Sequence, residues 1–507
     1  MSQSNKPNLD IGGISISASD WEATPASVKA LVTALMETIS RLEERVSHLE
    51  EQLKQNSQNS SRPPSKDGFG APKPPAKGKG GRKRGAQPGH PGHSRKLYPP
   101  EACQSTIDHR PETCTHCGEP LSGDDPQPYR HQIVELPPIV PMVIEHRLHT
   151  LCCEHCGETT RSPLPTDVHP GGYGERLSAV VALLSGAYRQ SHQQVKTCLA
   201  ALFGIEISTG SINRLRREVS EALAQPVAEA QAYVQQEAVI HSDETGFRQG
   251  NSDGQNAEQK RGWLWVLVTP MVSVFTILLS RSQAAAQALI GEAFEGIVVS
   301  DRYGAYTWID LNQRQVCWAH LKRDFTRIAE RRGVSQAIGE GLLNQEKALF
   351  ELWYQVRDGT LSRPAFAERV HPIRAALKTW LEEGASYAIG PKERTPLAKT
   401  VRTCQQLLRV EPALWTFVEV AGVEPTNNIA ERSLRPGVIW KHISFGSESQ
   451  AGSEFVARML TTVTSLTMQQ RDVLDFLTQT YRAARLGQAP PSLLPLPTAE
   501  RENPLSS

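Results

Sequence analysis

The 507-residue sequence predicts a multidomain α+β chain. Three observations carry that prediction. Apolar residues recur every seventh position from Val28 to Leu53, two matched Cys-x-x-Cys-Gly pairs begin at Cys114 and Cys153, and apolar segments between 236 and 330 run in the order β-β-β-α-β. The length allows three or four domains. Hydrophobic residues at 39% and charged residues at 21% suit a soluble globular chain, and a net charge of +1 points by itself to no partner. No uninterrupted apolar run reaches roughly 18 residues, so no membrane span is expected. The opening MSQSNKPNLD lacks the basic-then-apolar plan of a signal peptide. Nine cysteines, four of them in two CxxC pairs, suit a reducing compartment and a metal rather than a disulfide scaffold.

Residues 1–25 are polar and expected to be disordered. From 26 to 55 the repeat places Val32, Ile39, Val46 and Leu53 in one series and Val28, Leu35, Leu42 and Leu49 in another, offset by three. Branched residues in the first and leucines in the second favour a parallel two-stranded coiled coil, hence a homodimer through 28–53. The competing reading is one amphipathic helix packed on its own domain. Residues 56–100 form a Pro/Gly-rich basic linker. Between Arg62 and Lys96 it holds ten Lys/Arg and one acid, and the cluster Arg82, Lys83 and Arg84 suits contact with nucleic-acid phosphates. A solvated linker with no dedicated ligand is the alternative.

Residues 101–168 hold Cys114, Cys117, Cys153 and Cys156. Two residues between thiolates let each pair grip one side of a tetrahedral Zn²⁺, and the following glycine lets the knuckle turn back. One structural zinc on four thiolates is expected, with reduced surface thiols as the alternative and a strand over Met142–Leu151 between the knuckles. Residues 170–233 read as helices. A short Gly turn precedes a helix carrying Arg214, Arg216 and Arg217, a helix-turn-helix-like, DNA-contacting arrangement that many plain helical hairpins also resemble.

The segment 236–330 is a catalytic core of strands Ala238–Asp243, Trp263–Thr269, Val272–Leu279, Gly296–Asp301 and a short one at Gln315, with a helix after the third. Three antiparallel strands followed by parallel additions is the plan of a ribonuclease-H-like sheet, in which the first and fourth strands lie side by side. Asp243 and Asp301 then face each other, and two such carboxylates favour a hard divalent ion, Mg²⁺ or Mn²⁺. A third carboxylate allows a second ion. Glu431, in the closing part 421–486, is the candidate. On a helix it shares a face with Asn427 and Arg435, and Pro436 is expected to end that helix. A capping box of Asn428 with Glu431, and strand-end turns at both aspartates, are the structural alternatives. Glu244 alternates to the opposite face. His241 either touches the site or is a satisfied core histidine. Residues 331–420 form a helical insertion and 487–507 a Pro-rich tail.

With NSSRPPS, GAQPGHPGH, the paired knuckles, HSDETGFR, SDRYGAY, CWAHLKRDF and PTNNIAERSLRP followed by FGSESQAGS, the chain resembles the zinc-finger-bearing DDE transposases of bacterial insertion sequences, the TnpC-type proteins of the insertion-sequence-sixty-six group. The resemblance implies a DNA transposase that cuts at terminal inverted repeats and joins the ends to target DNA by two-metal chemistry. Asp243, Asp301 and Glu431 would be its triad, and Cys114, Cys117, Cys153 and Cys156 its zinc ligands. Cys317 and His320 match a Cys-x-x-His signature of supporting role. Arg432, Arg435 and Lys441 suit phosphate steering. It further implies accessory transposition proteins and a cytoplasmic, nucleoid-associated setting. Two rivals remain: a DNA-binding regulatory or architectural protein on a decayed nuclease fold, and a nuclease that does not transpose.

Overall fold

The structure, a computed structural model, describes residues 9–11, 14–54, 60–61, 95–168 and 170–495. Near the N-terminus β1 (Leu9–Ile11) pairs antiparallel with β2 (Ile14–Ile16), and α1 (Ala18–Ala23) follows, capped by the Ser17 hydroxyl accepting from the Asp20 N–H. The expectation of disorder over 1–25 overlooks Ile11, Ile14 and Ile16 flanking a Gly-Gly pair, which is a hairpin signal. The seven-residue repeat falls on one helix, α2 (Ala26–Lys54), with Leu35, Leu42 and Val46 each about half exposed. The side chains of Leu49 and Leu53, and the basic cluster Arg82, Lys83 and Arg84, lie outside the described residues.

Between 95 and 168 the regular structure includes one short antiparallel pair, β3 (Thr150–Cys152) with β4 (Thr159–Arg161), and no described residue there is buried. Of the strand expected over Met142–Leu151 only its end is formed. Met142, Val143 and Ile144 instead lie extended and largely exposed. They have no second layer to pack against.

The chain divides into two compact units. One combines Met1–Lys73 with Ala238–Asp243 and Ser282–Glu431. The other combines Pro74–Glu237 with Glu244–Arg281 and Arg432–Ser507. The helices α3 (Glu175–Ser185), α4 (His192–Phe203), α5 (Thr209–Ala222) and α6 (Ala224–Val234) open the latter. Ser191 and Gln194 close a capping box on α4, which ends at Gly204 in the left-handed region, and Val181, Val195, Leu199, Ile212 and Leu215 fill the core between α3, α4 and α5.

The strands β5 (Val239–Gly246), β6 (Trp263–Val268) and β7 (Ser273–Leu278) precede α7 (Gln283–Ile290), β8 (Ile297–Ser300) and β9 (Arg314–Val316). They form a five-stranded sheet in the order β7-β6-β5-β8-β9. The β6–β7 pair is antiparallel, whereas β8 runs parallel to both β5 and β9. Then come α8 (Trp318–Ala329), α9 (Val334–Arg357), α10 (Arg363–Ser386), α11 (Pro396–Arg409), α12 (Thr416–Glu419), α13 (Asn428–Ser444), α14 (Gln450–Met468) and α15 (Val473–Leu486). Pro436 does not end α13, contrary to the sequence expectation. The helix continues through it to Ser444, and Gly437, where a Cβ would strike Leu264, lets the helix lie close on β6.

The edge strand β7 is covered. Ser465 on α14 accepts from the Ser273 N–H and donates to its carbonyl at 3.0 and 3.1 Å, and Thr461 accepts from the Phe275 N–H at 2.9 Å. Hydroxyls thus replace the missing neighbour strand. In the other unit the insertion α9–α12 packs around Trp353, Phe366, Phe417 and Trp415. Its helices meet at glycines. A side chain at Gly339 would overlap the Ala329 backbone, one at Gly341 the Trp380 ring, and one at Gly384 the Cys404 sulfur. Overpacking such a contact costs about 1–3 kcal/mol or more. Gly339→Val should therefore lower the urea midpoint of unfolding by that stability with an unchanged slope, whereas Gly359→Ala, in open space at φ +79°, should pay only the smaller backbone penalty.

Candidate active site

The register of the parallel strands sets the first two carboxylates. Val239 is partnered with Ile297, Ile240 with Val298 and His241 with Val299. The same offset, continued two residues, sets Asp243 abreast of Asp301, just past the end of β8. Asp301 is half-buried. Its Oδ1 accepts from the Tyr303 N–H at 2.8 Å, so its side chain also closes the turn that follows. Glu431 lies in the first turn of α13, 3.8 Å from His320 Nδ1 and 3.6 Å from Arg323 Nη2. Both nitrogens are buried and lack a hydrogen-bond partner. The imidazole is held below its usual pKa, first by burial and then by the Arg323 charge, with Asp301 and Glu431 opposing.

Asn427 holds this arrangement together. Only 1% exposed, it donates from Nδ2 to the Ser242 carbonyl at 2.7 Å and from its backbone N–H to Cys317 Sγ at 3.1 Å. Its Oδ1 lies 3.1 Å from His241 Nδ1, and because Nδ2 is already donating, Oδ1 accepts and the His241 proton sits on Nδ1. Burial pushes the His241 pKa down to about 4 against that hydrogen bond, so the ring is neutral: a satisfied core histidine. The Cys317 thiol, buried, is pushed up to about 11. Asn427 is thus a buried clamp, and its amide is unavailable to orient a substrate.

Arg314, Tyr306 and Ser242 are functional neighbours that motif reading missed. Arg314 is 2% exposed, donates from Nη2 to the Asp301 carbonyl at 2.8 Å and lies 5.9 Å from the Tyr306 ring centroid. Tyr306 Oη and Ser242 Oγ are 3.0 Å apart. Burial pulls the guanidinium down to about 10, partly offset by Asp301, so it stays charged at neutral pH beneath the aspartate pair. Arg314 opens a strand, Arg314-Gln-Val316, whose three residues are all buried, a rare place for an arginine.

The other sequence candidates divide between the interior and the surface. Glu244 is buried, with the Arg281 Nε and Nη2 each 2.7 Å from one oxygen. Arg216 is turned inward. Its guanidinium lies 4.2 Å over Phe455, contacts His192 and is pulled to about 10 by burial. Arg214 pairs with Glu218 at 2.7 Å and donates to the Gly171 carbonyl, which leaves Arg217 the exposed member of the three. The α5 face behind it is occupied, because Arg458 of α14 donates to the Ser220 carbonyl. Lys441 donates to Thr245 Oγ1 and the Gly246 carbonyl at 2.8 and 3.0 Å. Arg432 and Arg435 are exposed, and Asn428 begins α13.

The two knuckles are built alike. Cys114 N–H donates to the Glu119 carbonyl and Cys153 N–H to that of Glu158, both at 2.8 Å, while Gly118 and Gly157 turn at φ +78° and +75°. Cys114 and Cys153 are both held below the ordinary thiol pKa, chiefly by the N–H two or three residues on in each loop, so these two sulfurs favour the thiolate a metal requires. The knuckles are not joined, however. Among the described residues no three His, Cys, Asp or Glu side chains are gathered around one ion position, which holds for the four thiols and for the three carboxylates alike. The donor sets themselves fit, thiolates for zinc and carboxylate oxygens for a hard divalent ion.

A family model described as the transposase IS66 family matches residues 171–455, more than half of the chain. The zinc-finger binding domain of transposase IS66 matches 111–157, and a family of unknown function matches 17–96. Two uncharacterized proteins of Sinorhizobium fredii are similar. One, y4qI, is 28% identical over 258 residues, covering 46% of this chain and 45% of that protein. The other, y4hP, is 23% identical over 394 residues, covering 71% and 68%. The first match spans less than half of its relative.

Arg314→Gln leaves the Asp301 carbonyl without its charged donor and should cost about 2–3 kcal/mol. Urea unfolding monitored by tryptophan fluorescence measures it, and Arg314→Lys should recover part of the loss.

Proposed function

Since the chain belongs to the IS66 family of transposases, we propose that it is a DDE-type DNA transposase with a ribonuclease-H-like core, cleaving at terminal inverted repeats and transferring the strands to target DNA. The observation that best supports this reading is the register of β5 on β8, which continued two residues sets Asp243 abreast of Asp301, together with Asn427, four residues before Glu431, donating to the Ser242 carbonyl next to Asp243.

Asp243, Asp301 and Glu431 would hold two Mg²⁺ or Mn²⁺ ions. When bound, such ions supply Lewis-acid activation of a water or 3′-hydroxyl and neutralise developing charge. The protein's part is positioning. Arg314 holds the Asp301 backbone, Asn427 ties the head of α13 to β5, and His320 and Arg323 keep the Glu431 carboxylate directed inward. Arg432 and Arg435, exposed one and four residues beyond Glu431, would take substrate phosphates, and Arg217 and the linker cluster Arg82, Lys83 and Arg84 would add sequence-independent affinity. Cys114, Cys117, Cys153 and Cys156 would close on one Zn²⁺, giving a stretch with no buried residue the staple that a small module needs. The exposed apolar stripe of α2 favours a homodimer through 28–53, which would supply two active sites for two DNA ends. Accessory transposition proteins and a cytoplasmic, nucleoid-associated setting complete the proposal. Among the described residues no helix is long and apolar enough to cross a membrane.

Incubation of purified protein with labelled element ends and Mg²⁺ tests the assignment. Asp243→Asn and Asp301→Asn should each lower strand transfer on the order of 10³-fold, the loss of several kcal/mol of transition-state stabilisation, while end binding persists. Comparable transfer by either variant refutes it. For the knuckles, Cys153→Ser should reduce bound zinc, measured by atomic emission, from one ion per chain to none and expose residues 119–149 to protease. Unchanged zinc content would show that the thiol is no ligand.

A further inference from the structure

The end of β5 and the loop joining it to β6 enclose a polar cavity of ≈540 Å³ that the proposed chemistry does not use. It lies within one compact unit and takes one wall residue, Glu448, from the turn between α13 and α14. Its rim is built. Asn256, 3% exposed, donates to the carbonyls of Gln249 and Lys260 at 2.9 and 3.0 Å, accepts from the Lys260 N–H at 2.9 Å, and takes the Asn251 side-chain oxygen on its own N–H at 2.7 Å. The loop is laced to the α13–α14 turn. Gly250 N–H donates to the Ser447 carbonyl at 2.8 Å, Ser252 N–H to that of Glu448 at 2.9 Å, and Ser447 N–H to that of Arg248 at 3.0 Å. Glycines stand where a side chain would intrude: at Gly246 it would strike the Arg261 guanidinium, and at Gly250 the Glu448 carboxylate. Gln259, on the wall, holds φ +51°, a left-handed conformation that a non-glycine residue keeps only when its surroundings impose it.

The lining is cationic and amide-rich. Arg248, Lys260 and Arg261 line the wall with Glu448, Lys260 also pairing with Glu258 at 2.9 Å, and Gln249, Asn251 and Gln259 contribute amides. Arg261 lies 4.6 Å over the Trp263 ring, so its plane is held. Beside it, Lys441 is fixed on Thr245 and Gly246, its ammonium destabilised by burial and by the Arg261 charge. Cations crowded this way call for an anion. Amides flanking them can pair with the edge of a base, and arginine planes stack on bases freed from a duplex. The volume falls within the roughly 300–1,000 Å³ of small-ligand sites. A paired base cannot enter such a recess.

We propose that this cavity takes one unpaired nucleotide of a DNA strand, its phosphate on Arg261 and Lys441 and its base against the loop amides. The inference rests on the chain's acting on DNA, but its test needs no catalysis. Full-length Asp301→Asn protein is titrated by fluorescence anisotropy with a blunt duplex and with the same duplex carrying a short single-stranded extension containing 2-aminopurine. The extended duplex should bind about tenfold more tightly, with a change in 2-aminopurine emission. Arg261→Ala and, separately, Gln259→Ala should shrink that preference and the emission change, with Arg261→Ala also lowering the salt slope by about one. Circular dichroism melting confirms that each variant is folded, and because Gln259 is exposed its truncation empties no core position. Equal affinity for the two duplexes, or a preference surviving in both variants, overturns the pocket. Failure to bind even the blunt duplex overturns the DNA-processing reading instead.

Discussion

Asp243, inside β5, and Asp301, just past the end of β8, stand in register on neighbouring parallel strands, and buried polar groups hold the backbone beneath them. Water is largely excluded beneath them, so the charge they feel from Arg314 is weakly screened. That guanidinium grips the Asp301 backbone and leaves its side chain for the front of the sheet. Behind the pair, Tyr306 and Ser242 share one hydrogen bond, which fixes β5 against the turn after β8. The charge pattern is thus held by residues that never need to touch a substrate.

The same economy governs the third carboxylate. A helix can be aimed only through its ends or its packed face. The head of α13 is aimed by Asn427, which spends its backbone and side-chain polar groups on Cys317, Ser242 and His241. Neutral His241 and buried Cys317 are what such a clamp requires, since a charge on either would be stranded in the interior. Further along, Pro436 interrupts one helical hydrogen bond without ending the helix, because the packing of Gly437 against Leu264 continues past it.

How legible the molecule was depends on the range over which each signal acts. The heptads of α2, the hairpin of β6 and β7, the buried strand β8 and the knuckle turns at Gly118 and Gly157 are local, and periodicity or glycine spacing exposes them. Asp243, Asp301 and Glu431 stood out because carboxylates at strand ends and a helix start are conspicuous. Arg216 misled for the opposite reason. A run of arginines on one helix looks like a binding face until α14 covers it and Phe455 receives the guanidinium.

By itself the sequence determined most of the helices and strands between 170 and 486 and which side chains carry charge or metal-ligand chemistry, because backbone preference and side-chain chemistry act within a few residues. Only the tertiary structure decided which of those side chains are spent inside. Asn427 and Arg216 read as ligand-facing groups and became clamps, while Arg314 passed unnoticed and became the charge held against the Asp301 backbone. The physical reason is that a polar group's role follows from what desolvates and pairs with it, and for Asn427 and Arg216 those partners, Ser242, Cys317 and Phe455, come from segments more than a hundred residues away.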